Sequence, residues 1–129
     1  MAKWGAGNFE TDEGRNELAH LVEYIISRIH HGFESDDSKS LYNGNGEGMI
    51  VANIEILAKL CVEYRFLPHL NYEEVNNWKT QYLETYDRIV SNSKVDSEYH
   101  REIRKKRRTA IATTFDKLSD IILELEDID

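Results

Sequence analysis

The sequence predicts an all-α fold: a single domain over 1–129, built as a compact bundle of about four main helices with a long loop between the first and the second. Three observations predict it. Apolar residues recur at steps of three and four in four separate segments. No segment sustains the period-two alternation of a half-buried strand. One stretch, GFESDDSKSLYNGNGEG at 32–48, abandons periodicity for Gly, Ser, Asp and Asn, the composition of an exposed loop. A chain of 129 residues with 40% hydrophobic residues suits one core.

The first helix is expected over about 12–31. Leu18, Leu21, Val22, Ile25, Ile26 and Ile29 draw its apolar stripe. Thr11 or Asp12 can accept the free N–H groups at its start, and Asp12, Glu13 and Glu17 suit the positive end of its dipole. Gly32 stands where a left-handed C-cap is common. The loop that follows is about 17 residues long, beyond the usual connection, and such loops tend to be functional or disordered.

The second helix is expected over about Glu47 to Phe66, with Pro68 as its stop. From Met49 to Tyr64 it is apolar almost all round, the pattern of the most buried helix. The third is expected to begin at Asn71, with Glu74 completing a capping box. Val75, Trp78, Tyr82, Tyr86 and Ile89 form its stripe, and Ser91, Asn92 and Ser93 end it. The fourth, about 96–126, carries Tyr99, Ile103, Ile111, Phe115, Leu118, Ile122 and Leu125. Its middle, Arg104 to Arg108, has no apolar residue, so a kink or an exposed section is expected there.

Composition excludes several classes. No apolar run approaches the roughly 20 residues of a membrane span, and MAKWGAGNFETD lacks the apolar core of a secretory signal. The single cysteine fits a reducing cytoplasm, which is the expected location. A net charge of −8 argues against nucleic-acid binding over the whole surface.

Charge is nonetheless segregated. Residues 94–109 hold seven Lys/Arg against three acids, net +4, whereas 110–129 are net −5 and 1–93 are net −7. A basic helical segment can bind phosphate, pair with the chain's own acids, or face water. With −12 on the rest of the chain, pairing with its own acids or hydration is the favoured expectation.

Catalytic signatures are weak. Gly5 and Gly7 lack the preceding strand and third glycine of a dinucleotide loop. The histidines, His20, His30, His31, His69 and His100, form no His-Glu-x-x-His pair, and Cys61 has no cysteine partner at ligand spacing. Surface histidines and a buried, inert Cys61 are the expectation. No cofactor, no metal and no enzymatic activity are expected. An enzyme would need Glu10, Asp12 and Glu55 to converge. Glu55 is the only charged residue between Met49 and Ala58, and Lys59 at i+4 suits an exposed ion pair; a carboxylate aimed at the N-terminal box or at a partner is the alternative.

The opening WGAGNFETD resembles the start of a bacterial family known as domain of unknown function 4259, whose members typically begin Met-Gly-Ala-Trp-Gly-x-Gly-x-Phe-Glu-x-Asp. Trp4, Gly5, Gly7, Phe9, Glu10 and Asp12 match that box. In the family a small-residue helix bearing a glutamate follows, where this chain has MIVANIE with Glu55. LNYEEVNNW, with Leu70, Val75 and Trp78, matches a later Leu-Pro-x-x-Val-x-x-Trp segment, with Asn71 in place of the proline. The likeness covers about the first 80 residues. It implies a small bacterial cytoplasmic protein and no particular reaction. By analogy, small acidic bacterial families of this kind accompany toxin–immunity gene pairs.

Small size, acidity and the acidic loop together suggest a toxin-neutralising immunity protein. Its partner would be a toxin domain such as a nuclease, for example from a contact-dependent growth inhibition system. Complementary charge would speed that encounter. The expected contacts are Glu34, Asp36 and Asp37 with Tyr42 as anchor, and then Glu124, Glu126 and Asp127, together with the terminal Asp129. The alternative is a nucleic-acid-associated regulator using the basic segment 101–108. Only Tyr99 is near that run as a stacking residue.

Overall fold

The computed structural model describes residues 7–34, 47–91 and 97–127. Four α-helices account for nearly all of them: α1 (Asp12–Glu34), α2 (Glu47–Tyr64), α3 (Tyr72–Ser91) and α4 (Glu98–Asp127). There is no strand among the described residues. The predicted all-α bundle is thus the fold. The expected loop acids Asp36 and Asp37, the anchor Tyr42, Trp4 and Gly5 of the N-terminal box, Lys94 and Asp129 lie outside the described residues.

Each helix starts or stops for a local chemical reason. Thr11 is the N-cap of α1: its Oγ1 accepts from the Gly14 N–H at 3.0 Å, three residues on. Before it, Gly7 to Glu10 close a turn, with the Glu10 N–H donating to Gly7 O at 3.1 Å and the Gly7 N–H donating to Glu10 Oε2 at 3.3 Å. The capping box of α3 forms as the sequence predicts. The Glu74 N–H donates to Asn71 Oδ1 at 2.8 Å and the Asn71 N–H donates to Glu74 Oε1 at 3.3 Å.

Two helix ends differ from expectation. Gly32 is not a cap; it sits inside α1 and is buried. A Cβ at Gly32 would lie 2.7 Å from Ile50 Cγ1 and 2.9 Å from its Cδ1, so this glycine lets α1 and α2 approach closely where they cross. The helix continues to Glu34 because tertiary packing, and not the propensity of glycine, decides its length. At the other end of α2 the helix stops at Tyr64, short of Phe66. Arg65 takes the left-handed conformation, with φ of 48°, and the Phe66 N–H donates to Cys61 O at 3.1 Å. That is the six-to-one bond of a Schellman cap built on arginine where glycine is usual.

Arg15 of α1 secures this end. Its guanidinium donates to Tyr64 O at 2.7 Å and to Arg65 O at 3.4 Å and lies 5.3 Å from the Phe66 ring centre. A cation thus meets the negative end of the α2 dipole and two carbonyls left over by the helix. Phe9 packs on Tyr64 beside it, ring centres 4.8 Å apart and the planes tilted by 57°. The Arg15 and Gly32 contacts together make α1 and α2 antiparallel.

Around the bundle α1 packs on α2, α2 on α4, and α4 on α3. Aromatic side chains close the fourth side: Trp78 and Tyr82 of α3 meet His30 and Phe33 of α1 at centroid distances of 5.3 to 6.4 Å. Tyr82 also packs on Phe115 of α4 at 5.8 Å. The shared core holds Leu18, Ile29, Ile50, Ile54, Leu57, Val75, Ile111, Phe115, Leu118 and Ile122, all under 2% exposed. Leu70, Val75 and Trp78, the residues of the later resemblance, are core residues too. Polar links run along α3 and α4: Ser119 Oγ donates to Asn76 Oδ1 at 3.2 Å, Lys79 Nζ to Asp116 Oδ1 at 2.7 Å, and Arg108 to both oxygens of Asp87 at 2.9 Å. Their register makes α3 and α4 antiparallel.

Candidate functional site

The apolar surplus of α2 builds a groove on the surface of the bundle. The sequence predicts a helix enclosed on all sides. Instead Ile50, Val51, Ile54, Leu57, Ala58 and Cys61 are buried, while Ile56 stays 47% exposed and Val62 57% exposed. The reason is topological. Among the described residues α2 packs on α1 and α4 only, and these two neighbours cover one broad face of it.

The face of α2 that bears Ile56 and Val62 encloses, with α4, a groove of about 840 Å³. Ile56, Leu60 and Val62 of α2 and Ile121 of α4 supply its apolar lining. Glu55, Glu63, Asp120, Lys59 and Lys117 stand around it. Glu55 and Lys59 lie 3.9 Å apart with side chains 61% and 77% exposed, an ordinary surface pair. On α4, Asp120, Glu124 and Asp127 follow at i, i+4 and i+7, so an acidic row runs from the groove to the helix end on one face. Glu126 falls about 240° from Asp120 at 100° per residue, away from that row. An open apolar patch inside a charged rim is the anatomy of a protein-binding surface.

The expected contact residues do not form one surface. Glu34 is exposed at the last residue of α1, beside the Gly32–Ile50 crossing. Glu124, Glu126 and Asp127 are exposed at the end of α4, beyond Ser119, which bonds to Asn76 in the first turns of α3. These are opposite ends of the bundle. The groove joins only the α4 acids. Nothing in the sequence marked Ile56 and Val62 as exposed, because their periodicity is that of a buried helix; the excess of apolar positions over what two neighbours can cover was the signal.

The other motifs resolve without a site. Glu10 bonds within its own turn, and Glu55 lies nine residues up α2 from Tyr64, about 13 Å along the axis from the level where Phe9 packs. Glu10, Asp12 and Glu55 are therefore not brought together. The five histidines are all exposed. Among the described residues no group of three or more His, Cys, Asp or Glu is arranged to hold a metal ion. Cys61 is wholly buried, and burial pushes its thiol up to about 12. Among the described residues no helix is long and apolar enough to cross a membrane.

The basic segment falls on the first turns of α4. Tyr99 and Ile103, expected on the inner stripe, are 71% and 45% exposed. Ile103 precedes Ile111 by eight residues and Tyr99 precedes it by twelve, which turns them about 80° and 120° away from the core. The helix is continuous through this section, with no kink needed to expose it. Asp87 and Arg108 form a two-pronged ion pair there. The Arg108 hydrogen bonds hold the Asp87 carboxyl below its ordinary range, and Asp87 raises Arg108 in turn. Comparison of the chain with protein-family models, with curated proteins and with solved structures finds no match.

Proposed function

We propose that this protein is a toxin-neutralising immunity protein whose α2–α4 groove takes an apolar projection of a basic toxin domain, such as a nuclease of a contact-dependent growth inhibition system. The observation that carries the reading is the groove itself. It exposes Ile56 and Val62 next to the acidic row of Asp120, Glu124 and Asp127 on a chain of net charge −8. The apolar floor supplies the kind of anchor site that dominates binding energy, and the acidic rim attracts a cationic partner. A nuclease carries a basic surface for its own substrate, which an acidic inhibitor can cover.

The test is co-expression with the product of the adjacent upstream reading frame, scored by growth and by a stable complex on size exclusion. Rescue with a complex supports the reading; a harmless product with no complex refutes that pairing. Within a complex, I56R/V62R should cost more than tenfold in affinity, as loss of a central anchor does. D120K/E124K should slow association in a salt-dependent way and leave dissociation nearly unchanged. Full affinity in both variants would remove the groove from the interface.

A further inference from the structure

We infer that the α2–α4 groove is shaped for an amphipathic helix of the partner, with cations flanking its apolar stripe. The inference rests on the reading of this groove as a binding surface and names what enters it. The direction of its walls comes first. His30 and Phe33 of α1 meet Trp78 and Tyr82 of α3 in the same order, so α3 runs parallel to α1. Helix α2 is antiparallel to α1 and α4 is antiparallel to α3, so α2 and α4 run side by side in one direction. The lining extends from Glu55 to Tyr64 on α2 and from Thr114 to Ile121 on α4. At 1.5 Å per residue that is a trough about 10–14 Å long, the span of two to three helical turns. Ile56 and Val62 stay about half exposed along it.

Backbone chemistry selects the form of the occupant. Among the described residues there is no strand, so the groove has no sheet edge to pair with an extended chain. Both walls are α-helices, whose N–H and C=O groups bond within each helix. Thr114 Oγ1 likewise donates to Ala110 O of its own helix, at 2.7 Å. An extended segment laid over Ile56, Val62 and Ile121 would hold its own N–H and C=O groups against an apolar floor without partners. A helix satisfies those groups internally and presents an apolar stripe at i, i+3, i+4 and i+7.

Charge selects the sign of its flanks. The rim sets Glu55, Glu63 and Asp120 against Lys59 and Lys117, and Lys59 already pairs with Glu55 at 3.9 Å. Beyond Asp120 the row continues through Glu124 and Asp127, and the last turns of α2 and α4 hold no basic residue. Arg15 meets the closing carbonyls of α2 from α1, and the carboxylates of the α4 row remain on the groove side. Lysine or arginine on the flanks of the entering helix therefore meets acid at the end where both walls stop. A second copy of the chain is the poorer occupant. It would set one rim with more acid than base against another, between chains of net charge −8.

The probe is a pair of labelled synthetic peptides of about 14 residues, each half leucine and half lysine, one patterned with the helical period and the other strictly alternating. Both carry the same charge, so attraction to the acidic rim alone binds them equally. Fluorescence anisotropy should show the helical-period peptide binding at least about tenfold more tightly. I56S/V62S removes the apolar floor at two exposed positions without changing charge. It should cost about tenfold for the helical-period peptide and bring the two peptides level. I103S, at an exposed apolar position outside the groove, should bind as the unaltered protein does. Equal affinity for the two peptides overturns the inference, and so does a preference that I56S/V62S retains. A dimer on size exclusion that I56S/V62S dissociates would assign the groove to a second copy and overturn it as well. Equal affinity overturns the helical occupant even where co-expression rescues growth, and a failed rescue leaves a helical preference standing, so the two readings fail separately.

Discussion

Replacing Gly32 with alanine separates two readings of one residue. In an exposed helix the change gains about 1 kcal/mol, because alanine loses less backbone freedom. Here the added Cβ would sit 2.7 Å from Ile50 Cγ1, 2.9 Å from Ile50 Cδ1 and 3.0 Å from Met49 Cε. Carbon atoms rest at about 3.5–4.0 Å, so the overlap with Ile50 is near 1 Å. Met49 is partly exposed and can swing away; Ile50 is fully buried and cannot. Overpacking of this kind costs about 1–3 kcal/mol. Set against the propensity gain, and with the contact at the severe end of that range, the net loss is about 1–2 kcal/mol, or about 4–8 °C in Tm for a chain of this size. Urea and thermal unfolding of G32A measure it. The second arm is I50A. Alone it should cost about 2–5 kcal/mol as a cavity. In that background G32A should become neutral or stabilising by up to about 1 kcal/mol, since the clashing atoms are gone. A C-cap glycine would also resist alanine, but Ile50 would not relieve it. Destabilisation of equal size in both backgrounds, or stabilisation by G32A alone, would refute the close crossing.

Three further outcomes follow from the helix ends, the core and the pairing of α3 with α4. R65G should stabilise the protein by about 0.5–1 kcal/mol in urea titration, because glycine adopts the left-handed cap conformation without the side-chain strain that arginine carries; a loss of stability would mean that the Arg65 side chain contributes more than its backbone costs. Cys61 should react with a thiol reagent at pH 8 only as fast as the protein unfolds, since it is wholly buried and its thiol is held near 12; rapid labelling of the native state would contradict this. The Asp87–Arg108 pair depresses the carboxylate, so its stabilisation is fully present above the ordinary aspartate value of 3.8 and fades as pH falls below it. Both side chains are about half exposed, which keeps the effect under about 1 kcal/mol. D87N should therefore lower Tm slightly at pH 7 and not at pH 2.5; an equal loss at both pH values would show that the ion pair is not its cause.

What could be read from the sequence was whatever rests on local pattern. The Asn71–Glu74 box, the Thr11 cap, the stripe of α3 and that of α1 apart from Leu21, which is 45% exposed, follow from neighbours within four residues and stand where the sequence places them. What could not be read depends on which helices touch. Gly32 looks like a cap until α2 is laid against it. Arg65 hides a left-handed cap because its stabilising partner, Arg15, is 50 residues away. Tyr99 and Ile103 look like core until the eight-residue gap to Ile111 is converted into an angle. Of the contact residues expected from charge, Asp120's row on α4 extends to Glu124 and Asp127, whereas Glu34 sits at the far end. The groove that unites the row with Ile56 and Val62 was concealed by the very hydrophobicity that made α2 look central.

Two segments of this chain break the rules of a minimal bundle, and both breaks are on its surface. A helix with two neighbours needs one apolar face; α2 carries more, and Ile56 and Val62 stay in water at a cost that a polar residue would avoid. On α4, Arg101, Arg104, Lys105 and Arg108 share an arc of about 100° centred about 70° from Ile111, where like charges one turn apart repel. The exposed side chains of α2 do not stabilise the fold, and on α4 the Asp87–Arg108 pair offsets part of the repulsion. Residues whose local choice opposes the fold are where function is expected to reside, because selection for folding alone removes them. The two surfaces also differ in kind: one is apolar with an acidic row near the end of α4, the other cationic at its start. At the end of α4, Glu124, Glu126 and Asp127 stand where its dipole is negative, the reverse of the stabilising arrangement, whereas Glu98 in its first turn has the stabilising sign. That acidic end costs stability, and it makes the α2–α4 groove, which the row from Asp120 borders, the place where a cationic partner gains most.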